Sequence, residues 1–562
     1  MQREEDPEPR MTANIFDYFE ELPRPDGAPA PWAARAPRRP QQGYDLKLVP
    51  RSPDWRHDES SLHALELIER EPWVAAVVRR QDAVRLRVRD EWIETAGAAL
   101  EAGADAEATL ANLAGERHFS VQFWDANATK ALHVGHLRNL AIGNALAAAL
   151  AQAGGRVERR SLISDAGRSM GEAMAGVVKS GRHAQSWPDG GQKSDHFVGV
   201  CYANYVSDGG LFGGDGEDSL TRELELQDDA ADDLLKRVLQ GDPEALELWF
   251  KTRAWVIAGQ RKTLARLGIA FDRVFFESDF LPDAAELTAS GLRDGSLRTR
   301  ADGVVIYMTG LEDLEELPLV RADGVATQHM RAVSYWMSAP EMEQVTTLQI
   351  CGTEWVSHAA SIRKLMSELT PAGNGGVHPT RDIFHGMVAR QKRAVASSAD
   401  GALLIDDLIE MLDGELASDP RMRAVRRAHP SPERIPAQIV LGYFLPYPIT
   451  PRFDFDPDRL LRDGESVGWD IVRARAHHGG RTLACGHSPA GEPDYRFAVI
   501  QSELYRRYLR LAVQRLDVRP LAHYLKHLSL WYLEQDRSSH VERVVDTLLD
   551  RGSRGLGLEA GR

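Results

Sequence analysis

Residues 118–153 run an apolar, strand-like stretch into a long Ala/Leu-rich helical one, and at the junction stand two imidazoles, His133 and His136, separated by Val134 and Gly135. That handover constrains the chain more than any composition figure, because strands alternating with helices are what a doubly wound parallel sheet requires. A helix N-terminus presents N–H groups that the helix itself cannot satisfy, together with positive dipole character, so it is a natural seat for phosphate. His133 and His136 can add side-chain donors aimed at charge developing on an α-phosphate. Gly135 leaves bare backbone against which a flat base can lie. Taken alone, two such histidines also read as helix caps or core residues, and the surrounding residues decide between the readings.

Those residues continue in a particular order. Val121-Gln122-Phe123 through Gly143-Asn144 surrounds the junction, and Leu162-Ile163-Ser164-Asp165-Ala166-Gly167-Arg168 ends a second strand. Asp195-His196-Phe197-Val198-Gly199, Leu267 to Asp272, Glu277-Ser278, Asp323-Gly324 with Arg331, and Phe453-Asp454-Phe455-Asp456 follow. The series resembles the arginyl-type class I aminoacyl-tRNA synthetases. The resemblance implies a class I Rossmann-type doubly wound parallel sheet with an insertion, a small α/β N-terminal domain and a C-terminal helical bundle. Placed on this chain, residues 1–43, rich in Pro, Arg, Ala and Gly, read as a disordered lead-in. Residues 44–115 form the N-terminal additional domain, where Val84-Arg85-Leu86-Arg87-Val88 alternates at period two. Residues 116–413 form the catalytic domain, with core strands at Phe119–Phe123, Val157–Ile163 and Thr347–Cys351 and an insertion at about 181–302. Residues 414–562 form an anticodon-binding-like helical domain that reads as trimmed.

The chemistry the resemblance implies is attack of an amino-acid carboxylate on the α-phosphate of ATP, followed by transfer of the acyl group to an acceptor; such catalysis rests on positioning and charge stabilisation. His133 and His136 are then expected to stabilise the transition state. Gly135 and Asn139 are expected to contact ATP, and magnesium to accompany it. The family's Lys-Met-Ser-Lys-Ser loop falls on Ala394-Val395-Ala396-Ser397-Ser398, where neither lysine is present. Lys130, three residues ahead of His133, stands where a compensating lysine is expected, and it can reach phosphate as a point charge. Arg393, beside Arg390 and Lys392, is a second candidate for phosphate.

Arginine recognition needs carboxylates opposite the guanidinium, because a buried charge without a partner is costly. The residues expected to line the amino-acid pocket are Gln122, Asn127, Asp165, Gln328, Ala332 and Trp355. At 122 the family's Glu is replaced by Gln, at 328 and 332 its Tyr and Asp are replaced by Gln and Ala, and Trp355 fills a polar position. Glu354 could take over as counter-charge. The tail around Val467 to Arg475 lacks most of the aromatic residues that would stack on anticodon bases. The favoured expectation is therefore an ATP-dependent ligase of altered specificity, whose acceptor is a small molecule, a carrier or another tRNA. The alternative is a divergent arginine–tRNA ligase, and a non-catalytic paralogue is the third reading.

Composition excludes several other classes. A chain of 562 residues has several domains with ample core. Three widely spaced cysteines, Cys201, Cys351 and Cys485, suggest neither a disulfide framework nor a zinc site. No apolar run reaches membrane-spanning length, which gives a cytoplasmic expectation with no membrane partner. The net charge of −15 argues against indiscriminate nucleic-acid binding while leaving room for a local basic face.

Overall fold

A computed structural model describes residues 15–21, 32–51, 54–102, 110, 113–115, 117–183, 192–208, 229–312, 314–338, 345–369, 380–390, 393–394, 403–429, 431–477, 489–534 and 538–559. Its first layer is an antiparallel sheet of β1 (Trp32–Arg35), β2 (Leu46–Pro50), β3 (Val74–Arg79) and β4 (Val84–Val88), in the order β1-β2-β4-β3. The period-two reading of Val84–Val88 matches β4, whose Val84, Leu86 and Val88 are buried while Arg85 and Arg87 are partly exposed. Two parts of the expected lead-in are ordered instead. The helix Ile15–Glu21 buries Ile15, Phe16 and Phe19, and β1 buries Trp32. Aromatic and aliphatic residues buried at this density outweigh the Pro-rich composition around them. Arg496 then clamps the sheet to the C-terminal helices, donating from Nε (2.8 Å) and Nη2 (2.6 Å) to the buried Asp45 carboxylate.

The central sheet is fully parallel. Its strands are β5 (His118–Gln122), β6 (Arg156–Ile163), β7 (Arg273–Phe276), β11 (Thr346–Gly352) and β12 (Thr380–His385), in the order β12-β11-β5-β6-β7. The chain winds from β5 towards β7 on one side and resumes at β11 on the other. The strand order therefore reverses between β5 and β11, where Gln122 lies opposite Gln349, and ligands of open α/β sheets sit outside the carboxyl ends of the strands at such a point. The sequence placed three of these strands and missed β7 and β12. β7 lies inside the expected insertion of 181–302, which the sheet divides. The helices Arg168–Lys179, Ser194–Asp208, Ala230–Leu239 and Pro243–Leu267 precede β7. A small antiparallel sheet of β8 (Arg298–Thr299), β9 (Val305–Met308) and β10 (Glu316–Val320) and the helix Gln328–Ser338 follow it. A four-residue edge strand leaves too short a pattern to read.

The helix Val134–Gln152 is buried nearly all round, as its Ala/Leu-rich composition requires. It lies between the sheet and the C-terminal helices Ile435–Phe444, Pro493–Arg515 and Ser539–Gly555. Gly143 permits its close approach to β5, since a Cβ there would lie 2.2 Å from Phe123 Cβ. Arg138 on this helix donates to the carbonyls of Gly386 (2.7 Å), Pro451 (2.8 Å) and Pro448 (2.6 Å). The C-terminal residues Leu556 and Leu558 are buried, and Asn144 Nδ2 donates to Gly557 O at 2.6 Å. Among the described residues no helix is long and apolar enough to cross a membrane.

Candidate active site

The polypeptide leaves β5 at Gln122 and enters the long helix at Val134, so residues 123–133 must cross the carboxyl edge of the sheet. Backbone bonds pin that crossing. Ala128 N donates to Ser164 O (2.8 Å), Ser164 N donates to Ala126 O (3.1 Å), and Gln260 Nε2 donates to the carbonyls of Asn127 (3.1 Å) and Lys130 (2.8 Å). His133 is the N-cap of the helix. Gly135 N donates to His133 Nδ1 and His133 N donates to His136 Nδ1, both at 3.1 Å. Each Nδ1 is therefore an acceptor, which places the ring proton of the neutral imidazole on Nε2. Burial is the main influence keeping both rings neutral, and the charge of Lys130 adds to it. His136 is held down to about 4 and His133 well below its ordinary range. The rings stack obliquely with centroids 4.0 Å apart. The result is a pair of neutral imidazoles fixed by backbone, of which His136 lines a cavity and needs no rearrangement when charge develops there.

His136 opens onto a cavity of about 240 Å³ at the switch point of the sheet. Gln122, Asn127, Gly135, Asn139, Gln328, Ala332 and Trp355 line the same cavity, so seven residues expected from the sequence share it with His136. Asn139 Nδ2 donates to Phe123 O (3.0 Å), and its Oδ1 lies 3.3 Å from His385 Nε2, a further lining group. Trp355 belongs to an aromatic group with His329 and His358, its ring centroid 6.0 and 5.5 Å from theirs.

Four expected residues are placed differently. His133 caps the helix behind His136 and is not part of the cavity wall. Lys130 is half-buried, its Nζ 6.0 Å from the Tyr202 ring centroid. Asp165 is fully buried off the cavity, where its carboxylate accepts from Ser278 N (2.9 Å), Ser278 Oγ (2.6 Å) and Arg253 (2.7 Å). Such a carboxylate orders the chain between β6 and β7 and has little left to offer a ligand. Arg393 lies in a short strand, β14 (Arg393–Ala394), paired with β13 (Val388–Arg390); its side chain, like Ser397, Ser398, Cys485 and most of the Gly/Asp-rich loop at 208–218, lies outside the described residues. The segment after the lysine-poor loop does reach the site. Val134 N donates to Leu403 O (3.0 Å) and Ile405 N donates to Leu132 O (3.1 Å).

The opposite wall carries charge that sequence reasoning missed. Glu277 accepts from Arg331 Nε (2.6 Å) and Ser164 Oγ (2.8 Å), a buried ion pair. Asp382 is paired with Arg363. Asp125 is the third acidic group, held by Gln122 Nε2 at 3.2 Å, while Gln122 Oε1 accepts from Tyr335 Oη at 3.0 Å. Asp125 is open towards the cavity but otherwise enclosed by protein. That enclosure is the main reason, with the nearby Glu277 charge, that its carboxyl is pushed up to about 7. The signal for Asp125 was present in the sequence, an acidic residue three positions beyond the neutralised Gln122. The partners of Glu277 and Asp382 come from distant segments and gave none.

Comparison with known proteins agrees with this geometry. Residues 104–337 match the family model for the catalytic domain of class I tRNA synthetases of the arginine type. An arginine–tRNA ligase of Amoebophilus asiaticus is 30% identical over 307 residues, 52% of this chain and 50% of that protein. One from Treponema pallidum is 28% identical over 361 residues, 63% of this chain and 58% of that protein. The chain thus spans about half the length of the curated relatives it matches. Among solved structures, the arginyl-tRNA synthetase of Thermus thermophilus superposes with a TM-score of 0.64 at 19% identity, covering 97% of this chain and 99% of that one. That of Plasmodium falciparum does so with a TM-score of 0.59 at 13% identity, covering 94% and 93%. These likenesses establish the shared fold.

Proposed function

Because this chain is arginyl-tRNA synthetase-like and of class I, its residues 104–337 matching that family's catalytic domain, we propose that it activates an amino acid with ATP and transfers it to tRNA. The observation that carries the proposal is the pair of neutral imidazoles at the helix start, each with Nδ1 engaged by backbone and Nε2 left as a donor. The substrate carboxylate attacks the α-phosphorus, an aminoacyl adenylate forms and pyrophosphate leaves. A tRNA hydroxyl then attacks the acyl carbon and AMP leaves. Neutral N–H groups suit the first step, since they stabilise charge gained by the α-phosphate oxygens without giving up a proton. Lys130, whose charge already acts on both rings, supplies positive charge on the same side. The described residues hold no cluster of three metal-ligating side chains. Magnesium would therefore enter with the triphosphate, which it would help to orient.

The relatives are arginine–tRNA ligases, which favours arginine and tRNA as substrates. The altered specificity and non-tRNA acceptor expected from Gln122, Gln328 and Ala332 have no support from them. ATP–pyrophosphate exchange measured over all amino acids, with and without tRNA, tests the proposal. Exchange with arginine is expected, and no exchange with any amino acid under either condition overturns it.

A further inference from the structure

A charge inventory of the cavity leaves two of its four carboxylates outside any ion pair among the described residues, the exposed Glu354 and Asp125, and only Asp125 is held by a neighbouring side chain, that of Gln122. Of the acidic groups that line it, Glu277 is committed to Arg331 and Asp382 to Arg363, while Glu354 is exposed at the rim. Asp125 forms no ion pair with any described residue. Arg160, which interacts with the neighbouring Tyr335, is committed to Glu158. The groups that sense Asp125 electrostatically are Glu277, Tyr335 and Cys351, none of them a cation. A carboxylate that faces a cavity without a positive partner, its orientation fixed by a neighbouring amide, offers a bound cation a charge-assisted hydrogen bond.

Gln122 makes the arrangement directional. Its Oε1 is occupied by the Tyr335 hydroxyl, so its amide N–H points at Asp125 and orients the carboxylate, with the backbone of Leu162 as a second neighbour. We infer that Asp125 is the substrate-binding anion of this site, pairing with a cationic group of the bound amino acid, and that Gln122 is its positioning residue. The counter-charge has thus moved three positions along the crossing from residue 122 and is presented by the glutamine that stands there. This inference rests on the activation reading above. The cation can be a side-chain guanidinium or the α-ammonium, and the test separates them.

The experiment is calorimetric titration of the full chain and of Asp125→Asn with three probes: arginine, citrulline and 5-guanidinopentanoic acid. Arginine carries both cations, citrulline only the α-ammonium and the third only the guanidinium. Asp125→Asn is expected to weaken arginine by about 100-fold, as loss of one buried charge partner does. A parallel loss with 5-guanidinopentanoic acid but not citrulline assigns the side chain; the reverse assigns the α-ammonium. Arginine affinity within twofold of the parent overturns the inference. Asp125→Ser provides the same comparison should the Asn variant fold poorly. Gln122→Leu should move the half-loss of arginine affinity to higher pH by roughly one unit, a change in the pH profile that a merely structural glutamine would not cause. If wild type exchanges pyrophosphate with any amino acid and Asp125→Asn leaves the KM for that amino acid within twofold of the parent, Asp125 fails and the ligase reading stands. If binding depends on Asp125 but no exchange occurs with any amino acid, the ligase reading fails alone.

Discussion

The two ends of the cavity are built by different rules. At the imidazole end the contacts that set the ring protons are local: His133, Gly135 and His136 hold one another through backbone N–H groups within one helical turn. At the acidic end the contacts are between strangers. Glu277 meets Arg331 across 54 residues and Gln122 meets Tyr335 across 213. The first end can hardly change without losing the helix cap. The second can exchange one charge for another provided the sum is kept, and here Asp125 stands near a glutamine where a glutamate was expected. The groups placed for the reaction and those placed for charge recognition thus have different structural supports.

The comparison can be broken most directly at the acidic end. Glu277→Ala strands the buried Arg331 guanidinium and should cost about 3–5 kcal/mol of stability, read by chemical denaturation. Adding Arg331→Met should recover part of that loss, and an unchanged denaturation midpoint in the single variant would show the pair to be inert. At the imidazole end, His136→Ala should lower ATP–pyrophosphate exchange by about 100- to 1,000-fold while leaving the fold intact, the usual cost of one preorganised donor.

Titration sharpens the contrast. Asp125 accepts a cation only when ionised, so the KM for a cationic amino acid should rise as pH falls through about 7, approaching tenfold per unit below it. The imidazole of His136, held at about 4, stays neutral over the same range, so kcat should be flat from pH 6 to 8. A kcat that falls with the same midpoint would place the titrating group in the chemistry instead. Lys130→Ala should raise the KM for ATP by about tenfold, as loss of a phosphate point charge does, with little effect on the amino acid.

The smallest effect is on stability. The folded-state pKa of Asp125 lies above its unfolded value, so the folded protein binds the extra proton between pH about 4 and about 7, and stability declines as pH rises through that window. Asp125→Asn removes the penalty and should stabilise the ligand-free protein above pH 7, by less than about 1 kcal/mol because the carboxyl faces water in the cavity. An excess in thermal midpoint of the variant over the parent that is small at pH 5 and widens to its full value by pH 8 is the expected pattern.

Much of this architecture was legible in the residues themselves. The strands near Phe119, Val157 and Thr347 and the buried helix after His136 follow from hydrophobic pattern, and the pattern survives because each segment is long and continuous. β7 and β12 were not legible, since their six or fewer residues gain strand geometry only from pairing with β6 and β11. The helix Ile15–Glu21 was hidden by the proline-rich residues around it. Asp165 looked like a ligand for substrate because of its place in the motif, and only the packed chain shows its oxygens spent on Ser278 and Arg253.

What the sequence determined by itself was the site of chemistry. Nδ1 of each imidazole is claimed by backbone amides two or three residues away, and contacts so close in the chain form in any fold that keeps the strand and the helix. What the tertiary structure alone decided was the charge balance of the pocket. Ion pairs depend on which distant side chains arrive within about 3–4 Å of each other, so only the folded chain reveals that Arg331 and Arg363 neutralise two carboxylates and leave Asp125 to face the cavity.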